Sequence, residues 1–352
     1  VLSPAGFVSN FEFQHSNIGY YGAKIAKRIA IQCVYLQSMA VIGIFDSGSG
    51  GLSVLREVVG LAPGARCIYY SDNANCPYGD KSVQFIRERS LAVCRELVGR
   101  GADVIVVACN TATSAAIGQL RSSLDLPVVG LEPAVKPAVA ITRSGVVGVL
   151  ATAATLKGEK YLENRQRYAD RVRIVERVGR GFVELVESCR LDGDYARKVV
   201  SDSLQPLLDE GADVVVLGCT HYPFLMPLME SIAEEQGRKV RFLDPAPAVA
   251  RHLMEVLGQH GIDPADAHPG VELLSSGPDD SLRRLYEKFT KFAIKSKKHH
   301  NRQHSKYVNS QQIIYINRIG ACICSMPRRH LRRRQRGLHR PRLLVGTRPS
   351  TF

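Results

Sequence analysis

No apolar run in this chain of 352 residues reaches the ~18 residues of a membrane span. The chain also lacks a cysteine framework. Its nine cysteines, at positions 33, 67, 76, 94, 109, 189, 219, 322 and 324, are odd in number and mostly far apart. That pattern excludes a disulfide-stapled secreted fold and favours a reducing cytoplasm. The one close pair, Cys322 and Cys324, lacks the two-residue spacer of a zinc knuckle, so no metal is expected there. The glycine-rich Asp46-Ser47-Gly48-Ser49-Gly50-Gly51 has no Gly-Lys-Ser/Thr after it and does not fit the dinucleotide fingerprint. A P-loop and a nicotinamide fold are thereby excluded. Acid is missing from the C-terminal end. Sixteen of the 47 Lys and Arg, and none of the 33 Asp and Glu, lie beyond residue 290. The first 290 residues therefore carry 31 basic against 33 acidic groups, and the net +14 belongs to the tail.

What the chain has is a repeat. Gly101 to Cys109 reads GADVIVVAC and Gly211 to Cys219 reads GADVVVLGC, identical at six of nine positions. Each copy is an apolar run ending in a thiol. Around it, short Val/Ile-rich runs alternate with amphipathic segments. Strands are predicted over 41–45, 67–70, 104–108, 128–130, 146–150, 172–175, 214–217, 240–243 and 271–275. Helices are predicted over 52–59, 83–98, 111–121, 135–142, 195–209 and 248–257. Continuous apolar strands separated by helices indicate an α/β fold of parallel sheets covered on both faces. The repeat makes it two pseudo-symmetric domains with a site in the cleft between them. Residues 41–132 with 245–290 are assigned to the first domain and 133–244 to the second. Residues 1–38 are read as an extension upstream of a natural start at Met39. Residues 291–352 are read as a basic, disordered tail.

Ligands in open α/β sheets bind beyond the carboxyl ends of the strands, where the chemistry-bearing residues fall. Cys109 ends one strand and Asn110-Thr111 opens a helix. The amides and dipole at that helix start stabilise an anion, so a lowered thiol pKa is expected, with Asn110 or Thr111 as cap. Cys219 ends the matching strand and is followed by Thr220, then by His221 as a group to polarise the thiol or relay its proton. Asp46 at a strand tip is a helix cap or a tuning group for a thiol. Tyr78-Gly79 alone reads as a turn, and Glu187 alone as a solvated carboxylate.

Together these motifs resemble the glutamate racemases of the cofactor-independent aspartate/glutamate racemase superfamily. The matching pieces are Gly43 to Val54, Pro77 to Gly79, Ala108 to Thr113, Leu150 to Thr152 with Thr155 and Tyr161, Phe182 to Glu187, and Leu217 to Pro223. The resemblance covers roughly residues 40 to 280. It departs at Asn75-Cys76, where the family has small or charged residues, and at Ser275 to Asp280. It implies interconversion of L- and D-glutamate for peptidoglycan synthesis, with no cofactor and no metal. It further implies Cys109 and Cys219 as the two acid/base groups, assisted by Asp46, His221 and Glu187. Ser47, Tyr78, Gly79, Asn110, Thr111 and Thr220 are implied as substrate contacts beside Asp46 and His221. A homodimer is common in the family, and gyrase inhibition in some members would give the basic tail a nucleic-acid context. Aspartate or a hydantoin is the alternative substrate, and a DNA- or gyrase-binding regulator the alternative of another class.

Overall fold

Two mostly parallel sheets, whose first four strands share one order, build the described fold. The computed structural model describes residues 40–266, 268–294, 305–306 and 314–317, all within one compact unit that ends at Arg318. The expectations for residues 1–38, including the start at Met39, lie outside the described residues.

In the first sheet, β1 (Val41–Asp46) is flanked by β2 (Arg66–Ser71) and β3 (Val104–Val107), with β4 (Val128–Gly130) beyond β3. In the second, β5 (Val146–Ala151) is flanked by β6 (Arg173–Val178) and β7 (Val214–Gly218), with β8 (Arg241–Leu243) beyond β7. All these pairings are parallel. Both sheets thus run second, first, third, fourth, and each thiol-bearing run is the third strand of its sheet. The first sheet extends on the other side of β2 through parallel β9 (Gly270–Ser275). The tail then adds β10 (Ser305–Lys306) and β11 (Ile314–Asn317), antiparallel to each other, with β11 against β9. Its described part carries strands where none was expected; the rest of it lies outside the described residues.

The identical residues of the repeat have a structural cause. Gly101 and Gly211 sit at φ +90° and +85°, the left-handed region that only glycine occupies cheaply. The next residues, Ala102 and Ala212, are buried. Asp103 accepts from the Val41 amide at 2.8 Å, and Asp213 accepts from the Arg143 amide at 2.7 Å and the Thr142 hydroxyl at 2.6 Å. Each aspartate pins the chain that enters the neighbouring central strand.

The helices, in chain order, are α1 (Leu52–Leu61), α2 (Val83–Gly99), α3 (Asn110–Ser123), α4 (Val135–Ile141), α5 (Ala153–Leu156), α6 (Glu159–Tyr168), α7 (Phe182–Glu187), α8 (Gly193–Asp209), α9 (Met226–Glu235), α10 (Ala246–Gln259) and α11 (Asp280–Ile294). Helix α1 buries Leu52, Val54, Leu55 and Val58 completely, each worth roughly 1.5–3 kcal/mol. α10 and α11 pack against it. The predicted strands are all present. Five helices lie outside the six predicted ranges: α5, α6, α7, α9 and α11. α6 is strongly polar and buries only Tyr161 and Tyr168, so periodicity hardly marks it. α11 does carry a legible stripe, Leu282, Leu285, Tyr286 and Phe289.

Candidate active site

Asp46 is the last residue of β1 and is fully buried. Its Oδ1 accepts from the Ser47 amide at 2.7 Å, and its Oδ2 from the Gly51 amide at 2.6 Å. The loop between them folds back on its own strand tip, and the Tyr69 hydroxyl fastens it by donating to the Gly48 carbonyl at 2.8 Å. The same Oδ2 accepts from the Thr220 hydroxyl at 3.3 Å. One carboxylate therefore joins the ends of β1 and β7. The glycines make this approach possible. A Cβ on Gly50 would stand 2.5 Å from His221 Nδ1 and 2.7 Å from Thr220 Oγ1. Burial raises the Asp46 carboxyl above its ordinary value, against the opposing pull of His221 and the two amides.

Cys109 follows β3 and is itself the N-cap of α3, its Sγ accepting from the Ala112 amide at 3.4 Å. The expected caps, Asn110 and Thr111, are instead the first helical residues. Its Sγ lies 3.5 Å from the Ser47 hydroxyl. The thiol is pushed up, opposite to the expected lowering. Burial is the largest cause and the Asp46 charge adds to it, outweighing the Ser47 hydroxyl and the helix-terminal amide; charge on Cys219 raises it further.

Cys219 ends β7. Cys109 and Cys219 are only 5% and 6% exposed, so bulk water is kept from both sulfurs. His221 lies beneath Cys219, with Nδ1 3.7 Å from Sγ and Nε2 2.7 Å from Glu187 Oε1. Burial works to lower the His221 pKa, but its bonds to Cys219, Cys76 and Glu187 raise it well above the ordinary value. As an imidazolium it donates from Nδ1 toward the sulfur and from Nε2 to the carboxylate.

Glu187 is not a solvated surface carboxylate. Its Oε1 also accepts from the Ser49 amide at 2.6 Å, and its Oε2 accepts from the Ser49 hydroxyl at 3.0 Å and the Ser281 hydroxyl at 3.2 Å. Burial raises its pKa, yet the His221 bond and charge and the Ser49 donors bring it below the usual value. The last residue of α7 is thus tied to the glycine loop, to His221 and to α11.

Asn110 is buried, and neither its Nδ2 nor its Oδ1 has a hydrogen-bond partner. Such a side chain costs stability unless a ligand completes it. The Thr111 hydroxyl meets Thr152 Oγ1 at 2.9 Å and Thr155 Oγ1 at 3.4 Å. Tyr78 is buried with its hydroxyl donating to Asp72 at 2.6 Å, and Arg89 holds the same carboxylate. Any contact of Tyr78-Gly79 with a ligand is therefore left to the backbone. Gly79 sits on Thr152. Sequence reasoning passed over Ser49, Cys76, Thr152 and Ser281 as members of this network. Ser49 was visible inside the glycine loop; Cys76 stood out only as a departure from pattern; Ser281 carried no signal at all.

The Asp/Glu/hydantoin racemase family matches residues 42–253. A glutamate racemase of Ectopseudomonas mendocina is 46% identical over 248 residues, 70% of this chain and 89% of that protein. One of Methylococcus capsulatus is 47% identical over 244 residues, 69% and 89% respectively. Among solved structures, glutamate racemase of Escherichia coli, in complex with L-glutamate and the activator UDP-MurNAc-ala, is similar at 34% identity. Its TM-score is 0.65, with 71% of this chain and 95% of that one covered.

Proposed function

The chain belongs to the Asp/Glu/hydantoin racemase family, and from that premise we propose that it interconverts L- and D-glutamate, with Cys109 and Cys219 exchanging the α-proton on opposite faces of the substrate. The observation that carries this reading is the placement of two buried thiols at equivalent strand ends, linked through Asp46 and Thr220. The α-proton of an amino acid is weakly acidic, so a strong base, a matched acid and a dry site are all needed.

In one direction the Cys109 thiol gives its proton to Asp46 and, as thiolate, removes the α-proton. Cys219 delivers its own proton to the opposite face, and His221 replaces it. In the reverse direction Cys219 is the thiolate, paired with the His221 imidazolium, and Cys109 is the acid. Glu187 keeps His221 charged and oriented. A thiol held high by burial is a strong base once ionised, which suits Cys109 to its part. Ser47, Thr111, Thr220 and the partnerless Asn110 amide are assigned to the substrate's amino and carboxylate groups, with the Tyr78-Gly79 backbone closing the wall beside Thr152. The two sheets are read as the cores of two domains, 41–132 with 245–290 and 133–244, and substrate closes the cleft between them. D-glutamate made in this way serves peptidoglycan synthesis. A cytoplasmic location fits a reaction that needs free thiols; no helix among the described residues is long and apolar enough to cross a membrane.

Incubation of the purified chain with L-glutamate and, separately, L-aspartate, with chiral detection, tests the substrate. Racemisation of glutamate is expected; turnover of aspartate alone overturns the assignment. Cys109→Ser and Cys219→Ser are each expected to lose about 10³-fold or more in racemisation. Each should still exchange the α-proton of one enantiomer, a different one in each variant, when followed by NMR in deuterated water. Full racemisation in either variant ends the two-thiol mechanism.

A further inference from the structure

The departure at Asn75-Cys76 places a third sulfur beside the site. Cys76 Sγ, a Glu187 carboxylate oxygen and a His221 ring nitrogen all lie within 4.8 Å of one another. They come from three distant parts of the chain: the loop after β2, the end of α7 and the turn after β7. His221 is buried, while Cys76 and Glu187 are only partly so, which leaves a way in from solvent. The ring is already oriented, because Nε2 points at Glu187 Oε1 at 2.7 Å and Nδ1 toward Cys219. Glu187 is held in turn by Ser49 and Ser281. Oriented ligands with hydrogen-bonded carboxylates are what a metal centre requires of its surroundings.

We infer that Cys76, Glu187 and His221 form an inhibitory site for a zinc-class divalent cation. The donor set is one thiolate, one imidazole and one carboxylate, the S/N/O combination that zinc accepts. Bond lengths of about 2.0–2.3 Å place tetrahedral ligands roughly 3.3–3.8 Å apart. The three atoms need only a small adjustment to reach that spacing: Nε2 and Oε1 separate slightly as the metal enters between them, and Sγ closes in. Water fills the fourth position. On binding, the Cys76 thiol proton and the Nε2 proton leave to solvent, and metal–sulfur, metal–nitrogen and metal–oxygen bonds replace them. Nothing is oxidised or reduced.

The consequence for the reaction rests on the racemase reading; metal binding itself does not. With Nε2 on the metal, His221 loses its link to Glu187 and can no longer recharge Cys219. The half-reaction served by Cys219 stops, and with it racemisation. Cys76 is not one of the two thiols assigned to the α-proton, and it meets the site through its bond to His221.

The test uses the full chain, kept reduced and metal-free, titrated with cobalt(II) alone and read by its thiolate-to-metal absorption. A band growing to one equivalent is expected in the wild type, in Cys109→Ser and in Cys219→Ser. It should vanish in Cys76→Ala and in Cys76→Ser, the second serving where the first does not fold. In racemisation assays with added zinc, each Cys76 variant, compared with its own metal-free rate, should need about 100-fold more zinc for half inhibition than the wild type. A wild type without the band overturns the site, as does a band that survives loss of Cys76. Equal zinc sensitivity in the Cys76 variants overturns the inhibitory role. If the chain proves not to racemise glutamate, the cobalt titration still decides whether the site exists.

Discussion

His221 and Glu187 stabilise each other in opposite protonation states, and this gives their pair a pH signature. The His221 pKa is raised, so its contribution to stability is full below 6.5 and is lost as pH rises through the folded value. The Glu187 pKa is lowered, so its contribution is full above 4.5 and is lost as pH falls through the folded value. Both are complete between 4.5 and 6.5. In Glu187→Gln the stability loss, on the order of 3 kcal/mol, should be largest in that window when measured by urea unfolding across pH. The same change removes the anion that keeps His221 charged, so the alkaline limb of kcat/KM should move to lower pH. An unmoved limb would mean that Glu187 is merely structural. Asn110 tests the site from the other side. Its amide is buried without partners, so Asn110→Ala gives up no internal hydrogen bond. Stability should hold or rise by about 1 kcal/mol, while KM for glutamate rises about tenfold or more. A fall in stability with unchanged KM would assign Asn110 to the fold rather than to the substrate.

Between β1 and α1 the glycine loop works by close approach, and two glycines ten residues apart make the point. Gly50 faces His221 and Thr220 with no room for a Cβ, whereas Gly60 has nothing within 4 Å. Gly50→Ala should cost about 1–3 kcal/mol through overpacking and reduce kcat about 10²-fold by displacing His221. Gly60→Ala lies in α1 and should stabilise by about 0.5–1 kcal/mol with activity unchanged. Thermal unfolding and steady-state kinetics of both variants check the contrast; equal effects would remove the close-contact argument. This loop also shows where sequence reading reaches its limit. Strand ends are legible, because a Val/Ile run that stops at Asp46, Cys109 or Cys219 announces its tip. Contacts between distant segments are not. Nothing near Glu187 says that Ser49 and His221 will meet it, and nothing near Cys109 says that burial will outweigh the helix terminus. The lowered thiol pKa was a local inference, and the raised one is a tertiary effect. Helix α6 escaped for the opposite reason, since its polar surface gives hardly any periodic signal although Tyr161 anchors it through Glu176 at 2.8 Å.

At the scale of the whole molecule, charge and chemistry are separated along the chain. The thiols and their partners fall between Asp46 and Ser281, in a body whose first 290 residues hold 31 basic and 33 acidic groups. Sixteen basic groups with no acid follow. A near-neutral body is little drawn to duplex DNA, while a polycationic segment binds it by releasing counterions, without regard to sequence. The full chain should therefore bind random duplex DNA at low salt. With six to ten phosphate contacts, affinity should fall by about 10³–10⁵ between 50 and 200 mM salt. The two thiols are 5% and 6% exposed and their network is internal, so saturating DNA should leave kcat for glutamate unchanged. Fluorescence anisotropy with labelled duplex, run beside the racemisation assay, reads both quantities on one preparation. Weakly salt-dependent binding would locate the DNA contact on the body rather than on the tail. A change in kcat on adding DNA would show that the basic segment reaches the active site, and the separation of charge from chemistry would fail.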